Sequence, residues 1–409
     1  MKDITESDGL LDLLSELSQL TESSYTAHKG FSSPEAGYAF NRLVERLGVS
    51  VRDPAENVYY LATRTAQSSA IRCGIELGFF QLVPEGESSM SAEDLAVASG
   101  ADVVLVERLM RTLAACGVFV EVGESVYAHN QLSRAFCNEN NRNMFQQMYD
   151  FVGKGAYVLP TFLKQNNWKN PESYEQSAIN LGLNITQAGF WEWLSADSAR
   201  QTLFNSGMQS RPNAIHVANL YNFEDQLNPS LENDDVAVVD IGGGRGHALI
   251  EIREAFPNLR GRLVLQDQDA VINDAIRQGL PSYIEPQATS FFEENPVRNA
   301  RAYYYRRVFH DWSDPIAVKI LSSTAGVLGP HSRILIADIC MPPCDAAWSM
   351  AVQDLNMMVL SGIERTECQW LSLLDKAGLK LTKLWRSNGS NHVVLEARRK
   401  DDLSDSLIV

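Results

Sequence analysis

Up to residue 222 the apolar positions recur mainly at helical spacing, and beyond residue 235 they gather into short β-forming runs separated by helical stretches. The first pattern is a leucine stripe, Leu10, Leu11, Leu13, Leu14, Leu17 and Leu20. Such a face must be covered, either by a partner subunit or by the chain's own domain. A long helical pattern from Asn57 to Leu82 carries Leu61, Ile71, Ile75 and Phe79. Ser91 reads as the cap of a helix that stops at Gly100, and Val103–Cys116 reads as the next helix. Val118–Val122 and Ser125–Ala128 are two short strands around Gly123 and Glu124, which completes a winged-helix pattern. Residues 140–222 are helical and rich in aromatics and Met, which suits a helix core and also an aromatic-lined pocket.

The polar, turn-rich stretch Asn228–Asp235 sets the expected boundary between a helical winged-helix domain, residues 1–225, and an α/β domain, residues 226–409. Strands are expected at Val236–Asp240, Arg262–Gln266, Ser282–Glu285, Ala302–Val308 and Arg333–Ala337, with a helix from Pro315 to Gly326. Leu379–Trp385 and His392–Ala397 flank Ser387–Ser390 as a hairpin. The expected class is therefore α/β, a Rossmann-like, mostly parallel sheet closed by a C-terminal antiparallel hairpin. Gly242, Gly244 and Gly246 follow Asp240 at the end of the first strand, the corner where such sheets bind nucleotides. Their spacing differs from the phosphate-cradling G-x-G-x-x-G and favours a nucleoside carrying an amino acid over a dinucleotide.

Composition adds exclusions. The net charge of -16 disfavours nucleic acid and anionic membranes as partners. The second winged-helix helix offers only Arg108 and Arg111, beside Asp102 and Glu107, too little positive charge to read DNA. No apolar run approaches a membrane span, and the chain opens without a secretory pattern, so a cytoplasmic protein is expected. The six cysteines show no metal-ligand spacing, and no metal is expected.

Ligands of an open α/β sheet lie beyond the carboxyl ends of its strands. Asp240 and the glycines, Asp267, the run His310-Asp311-Trp312-Ser313-Asp314 and Asp338 all fall there by position. Asp267 lies where a carboxylate would bind both hydroxyls of a ribose. Any of these residues is also a candidate helix cap, Asp314 before Pro315 most of all, and the lesser alternative for His310 is a loop histidine bonded to a backbone carbonyl.

The runs Val239–Gly246, Leu263–Asp267, Arg306–Asp314, Ile334–Asp338 and Gly362–Glu367 together resemble the S-adenosylmethionine-dependent O-methyltransferases of the caffeic-acid and flavonoid type, in their fungal secondary-metabolism form. The match is close through the C-terminal half and looser before it, where Phe204–Met208 carries it. The resemblance implies a class I methyltransferase sheet with a winged-helix dimerisation domain, a homodimer, S-adenosylmethionine as cofactor and a small aromatic or polyketide-type acceptor. It implies Asp240, Gly242, Gly244 and Arg306 around the cofactor, Asp267 on its ribose, and Ser290, Phe291 and Trp312 at its adenine. His310 would be the general base, flanked by Asp338 and Glu364. Met208, Asp311 and Met357 or Met358 would hold the acceptor. Two departures stand out: Ser290 replaces a common acidic residue, and Arg306 replaces the lysine of plant members, a change of geometry at equal charge. Two rivals remain at this stage: a pericyclase or dehydratase on the same scaffold, and a non-catalytic winged-helix regulator.

Overall fold

The computed structural model describes residues 9–26, 30–32, 34–86, 88–210, 220–229, 231–386 and 391–404. By internal contacts the chain forms two compact units. Residues 1–150 with 206–211 make the first, and residues 151–205 with 212–409 the second. Segment 151–205 thus belongs with the sheet, whereas the sequence pattern placed it ahead of a boundary at 225/226. Its helix Gly153–Gln165 crosses Ala178–Leu183 closely. A Cβ at Gly182 would lie 2.5 Å from Lys154 O, and one at Gly155 2.3 Å from Val359 Cγ1.

In the first unit the winged-helix pattern is present. Ser91 Oγ accepts from Asp94 N–H at 3.1 Å to cap Ala92–Ser99, which ends at left-handed Gly100. The ribbon Phe119–Gly123 and Val126–His129 gains a third short strand, Ser89–Ser91. The long helix runs Pro54–Glu76 and does not reach Leu82, because Gly78 takes φ 72° and starts a separate turn, Phe79–Leu82. Leu10–Ser24 forms a helix with Leu13 buried and Leu10, Leu11 and Leu14 exposed, so its own unit covers only part of the stripe.

The second unit holds an eight-stranded sheet. Its main strands are β1 Val236–Ile241, β2 Arg262–Asp267, β3 Ile284–Ala288, β4 Ala302–Arg306, β5 Arg333–Met341, β6 Leu379–Arg386 and β7 His392–Arg399. Their order is β6-β7-β5-β4-β1-β2-β3, and the two-residue strand Arg365–Thr366 pairs with the end of β5. The strands β3-β2-β1-β4-β5 are parallel, while β7 is antiparallel to both β5 and β6. The chain order reverses between β1 and β4, which opens the ligand crevice at their carboxyl ends. All six residues of β1 are buried, as expected of a parallel strand covered on both faces. The edge strand β3 starts two residues later than expected and includes Pro286, which an edge tolerates. Beyond Asp338, β5 continues because Ile339 pairs with His392, and Cys340 and Met341 pair with Arg365 and Thr366. The expected hairpin turn, Ser387–Ser390, lies outside the described residues.

Candidate active site

Two clusters form where β1, β2, β4 and β5 end. The first is the glycine turn after β1. Gly242, Gly244 and Gly246 take φ of 70°, 61° and 80°, conformations that glycine adopts without a Cβ penalty. Gly243 must also lack a side chain, since a Cβ there would lie 2.4 Å from Asp240 Oδ2. Gly242 backs onto Val308 and Phe291, whereas a Cβ at Gly244 would meet nothing within 4 Å. Gly244 N–H donates to Asp267 Oδ2 at 2.9 Å and Gln268 N–H to Asp267 Oδ1 at 2.7 Å. Asp240 is fully buried, and neither carboxylate oxygen has a hydrogen-bond partner among the described residues. Burial, opposed by Arg306 and reinforced by Asp267, pushes its carboxyl up to about 7. An unsatisfied buried carboxylate beside an open glycine backbone fits a cationic amino-acid nucleoside.

Other residues expected on this side are placed less directly. Arg306 Nη1 pairs with Glu251 Oε2 at 3.2 Å. Ser290 is exposed, and its hydroxyl accepts from Phe292 N–H at 3.3 Å. Trp312 is buried in a ring cluster, edge-on to Tyr174 at 5.2 Å, Phe292 at 5.2 Å and Phe291 at 5.7 Å.

The second cluster surrounds His310, in a single 3₁₀ turn after β4. His310 Nδ1 lies 2.9 Å from Glu364 Oε1, and Asp311 Oδ1 makes a long 3.5 Å approach to Nε2. An ionised carboxylate only accepts, so a neutral ring bonded to Glu364 in this way carries its proton on Nδ1 and its lone pair on Nε2. Arg307 Nη1 donates to Asp338 Oδ1 at 2.9 Å, and its Nη2 to Glu364 Oε1 at 3.0 Å. Asp338 is fully buried and its carboxyl is raised by that burial, with Arg307 and His310 opposing the shift. One atom from each of His310, Asp338 and Glu364 falls within 4.8 Å of the others, a spacing that suits a metal. The guanidinium of Arg307 already bonds both carboxylates and supplies the local cation.

The surrounding backbone fixes this turn. Gly362 packs so tightly on it that a Cβ would lie 2.2 Å from His310 O, and Ile363 N–H donates to that same oxygen at 2.9 Å. Arg365, fully buried, donates to Phe309 O and Trp312 O, both at 2.7 Å. Glu364 N–H donates to Asp354 Oδ1 at 2.8 Å. Asp314 does not cap its helix; its carboxylate is drawn instead to Arg365 Nε at 3.0 Å. Sequence reasoning missed Arg307, Asp354 and Arg365 as parts of the site, although Arg307 and Arg365 stand inside the quoted runs.

Of the residues expected at the acceptor, Met357 points into an apolar cluster with Phe151, Leu159, Ile179 and Phe190, while Met358 is half-buried. Met208 ends the helix Ser198–Met208 and belongs to the first unit.

Comparison with known proteins gives the same direction. Residues 178–380 match the model of the O-methyltransferase domain, and residues 59–139 that of the O-methyltransferase dimerisation domain. An O-methyltransferase of Pestalotiopsis microspora is 39% identical over 89% of this chain and 90% of its own. The chain belongs to the O-methyltransferase family, and is an S-adenosylmethionine-dependent enzyme of it. Demethylsterigmatocystin 6-O-methyltransferase of Aspergillus flavus is 30% identical over 87% of this chain and 92% of its own. The crystal structure of OxaC in complex with SAH and oxaline superposes with a TM-score of 0.88 at 32% identity, covering 96% of this chain and 99% of that one. A pericyclic reaction enzyme shares the fold at 25% identity and a TM-score of 0.85, over the same 96% and 99%.

Proposed function

We propose that this O-methyltransferase acts on a phenolic or enolic hydroxyl of a small secondary metabolite, with His310 as general base. The observation that carries this reading is the buried His310–Glu364 contact of 2.9 Å, which leaves Nε2 as the proton acceptor. A relative named for demethylsterigmatocystin and a neighbour bound to oxaline support a small-molecule acceptor.

Asp240, the glycine turn and Asp267 would hold the cofactor, with Phe291 and Trp312 near its base. When bound, S-adenosylmethionine supplies an electrophilic methyl group on a sulfonium. The chain's own part is positioning and proton removal. A phenol with pKa ~10 is ionised to only about one part in a thousand at pH 7, so Nε2 accepts its proton as the oxygen becomes nucleophilic. Asp311, whose carboxylate lies 3.5 Å from Nε2, would face the approaching hydroxyl, and the half-buried Met358 would contact the acceptor. The dimerisation domain and the exposed leucines of Leu10–Ser24 support a homodimer. No described helix is long and apolar enough to cross a membrane, and a cytoplasmic enzyme is our reading.

The test is His310→Ala assayed with labelled cofactor against hydroxylated aromatics. We expect kcat to fall by roughly 10²–10⁴-fold with cofactor affinity retained. Full activity in that variant would remove His310 from the mechanism. A wild-type product of unchanged mass, without S-adenosylhomocysteine, would favour rearrangement chemistry instead.

A further inference from the structure

Arg307 has no role in the reading above, yet the chain accepts backbone strain to place it. It follows β4 with φ 57°, a left-handed conformation that an L-residue adopts only at a cost in backbone strain. Its N–H donates to Ala337 O at 3.0 Å, which ties this conformation to β5. The guanidinium then forks between Asp338 Oδ1 at 2.9 Å and Glu364, reaching Oε1 at 3.0 Å and Oε2 at 3.3 Å. Glu364 Oε1 therefore accepts from both the guanidinium and the imidazole.

The charges facing the ring are Glu364 at Nδ1, Asp338 beside it and Asp311 at Nε2, with Asp354 and Arg365 behind Glu364. Arg307 is the cation in direct contact with both buried carboxylates. Without it their combined field would favour the imidazolium, which has no lone pair to accept a proton. We propose that Arg307 is a positioning residue for the methyl transfer: it holds the Glu364 carboxylate aligned on Nδ1 so that His310 carries its proton there, and it offsets enough carboxylate charge to leave the ring a neutral base at neutral pH. This inference rests on the reading of His310 as base.

The experiment compares pH profiles of kcat/KM for the wild type, Arg307→Gln and Arg307→Lys, together with NMR titration of the His310 ring in histidine-labelled protein, assigned with His310→Asn. Both replacements are unbranched at Cβ and carry no more backbone strain than arginine. For Arg307→Gln we expect the acid limb and the His310 titration to move up by about one pH unit or more, so that activity below the limb falls about tenfold and recovers on the alkaline side. Arg307→Lys keeps the charge and should hold both near wild type, with cofactor affinity by calorimetry unchanged in each variant. A folded Arg307→Gln protein whose limb and ring titration stay in place, or whose loss is the same at every pH, overturns the proposal. Should Arg307→Gln fail to fold, a displaced limb in Arg307→Lys would overturn it and an undisplaced one would support it. A wild-type limb that does not follow the His310 titration defeats the base reading and leaves the ring titration of the variants as the separate test of Arg307.

Discussion

Two acidic clusters lie at the carboxyl ends of one sheet, both buried, and they are satisfied in opposite ways. Around His310, Glu364 is met by Arg307, by the imidazole and by Asp354 through its backbone. Asp338 is met at Oδ1 by Arg307 and Ile339 N–H, while its Oδ2, ion-paired through the same carboxylate, has no hydrogen-bond partner among the described residues. Around the glycine turn, neither Asp240 oxygen has a hydrogen-bond partner among the described residues. The difference teaches where each half of the site obtains its order. A base that must act in a fixed tautomer is preorganised by the protein itself. A carboxylate left unpaired is poised for an external cation, because burying a polar group without a partner costs about 1–3 kcal/mol until one arrives.

The sharpest way to break this contrast is to delete one member of the satisfied cluster. Glu364→Ala strips the acceptor from His310 Nδ1 and removes both Arg307–Glu364 hydrogen bonds, leaving the guanidinium with Asp338 as its remaining hydrogen-bonded carboxylate among the described residues. Breaking a buried pair from one side costs about 3–5 kcal/mol, so urea unfolding should shift by that much. With the tautomer no longer fixed, kcat should fall roughly 10²–10⁴-fold, as for loss of the base. A variant as stable as wild type would show that the cluster does not hold the charges we describe.

The unsatisfied cluster should respond with the opposite sign. The Asp240 carboxyl is raised to about 7 by burial, opposed by Arg306 and reinforced by Asp267. In the unfolded chain it returns to ~3.9, so between roughly pH 4 and 7 the folded state binds the extra proton. Stability therefore falls as pH rises through this window, and the full cost, on the order of a few kcal/mol, is present above pH 7. Asp267 and Asp338 are raised too, so the informative quantity is the difference between variant and wild type. Asp240→Asn should flatten the slope and stabilise the ligand-free protein in alkaline solution, while weakening cofactor binding by about tenfold or more. Thermal melts across pH with and without S-adenosylhomocysteine check both halves. A variant less stable than wild type at pH 8 would mean that Asp240 has a partner inside the protein.

The sequence exposed these clusters unequally, for a physical reason. The glycine turn is local: strand, Asp240 and glycines are contiguous, and the conformations they need are written in residue type. His310 emerged by its position after β4, but Glu364 only through family resemblance, because 54 residues separate two groups that the fold brings into contact. Arg307 stayed hidden although Arg306 beside it was singled out. Its partners lie 31 and 57 residues away, and only the left-handed turn after β4 aims it at them. The aromatic stretch 151–205 was legible as helical and apolar, but periodicity does not say which surface it covers. Asp314 shows the reverse failure. A carboxylate before Pro315 is a good cap by local rules, and the buried Arg365 across the fold competes for it successfully.

The mildest test concerns the edge of the glycine cluster. Ser290 is exposed, and its hydroxyl accepts from Phe292 N–H within the same turn. The family resemblance implies an acidic residue at this position, facing the adenine amino group. An Asp there can accept the same turn hydrogen bond and present a second oxygen outward. Ser290→Asp should therefore tighten S-adenosylhomocysteine binding by a few-fold to about tenfold, the worth of one hydrogen bond at roughly 0.5–1.5 kcal/mol. It should leave the pH limb of catalysis in place, since it touches neither His310 nor its carboxylates. Calorimetry and a pH profile separate the two effects. A displaced limb would show that the clusters are coupled, and the division between a self-satisfied half and a ligand-awaiting half would have to be given up.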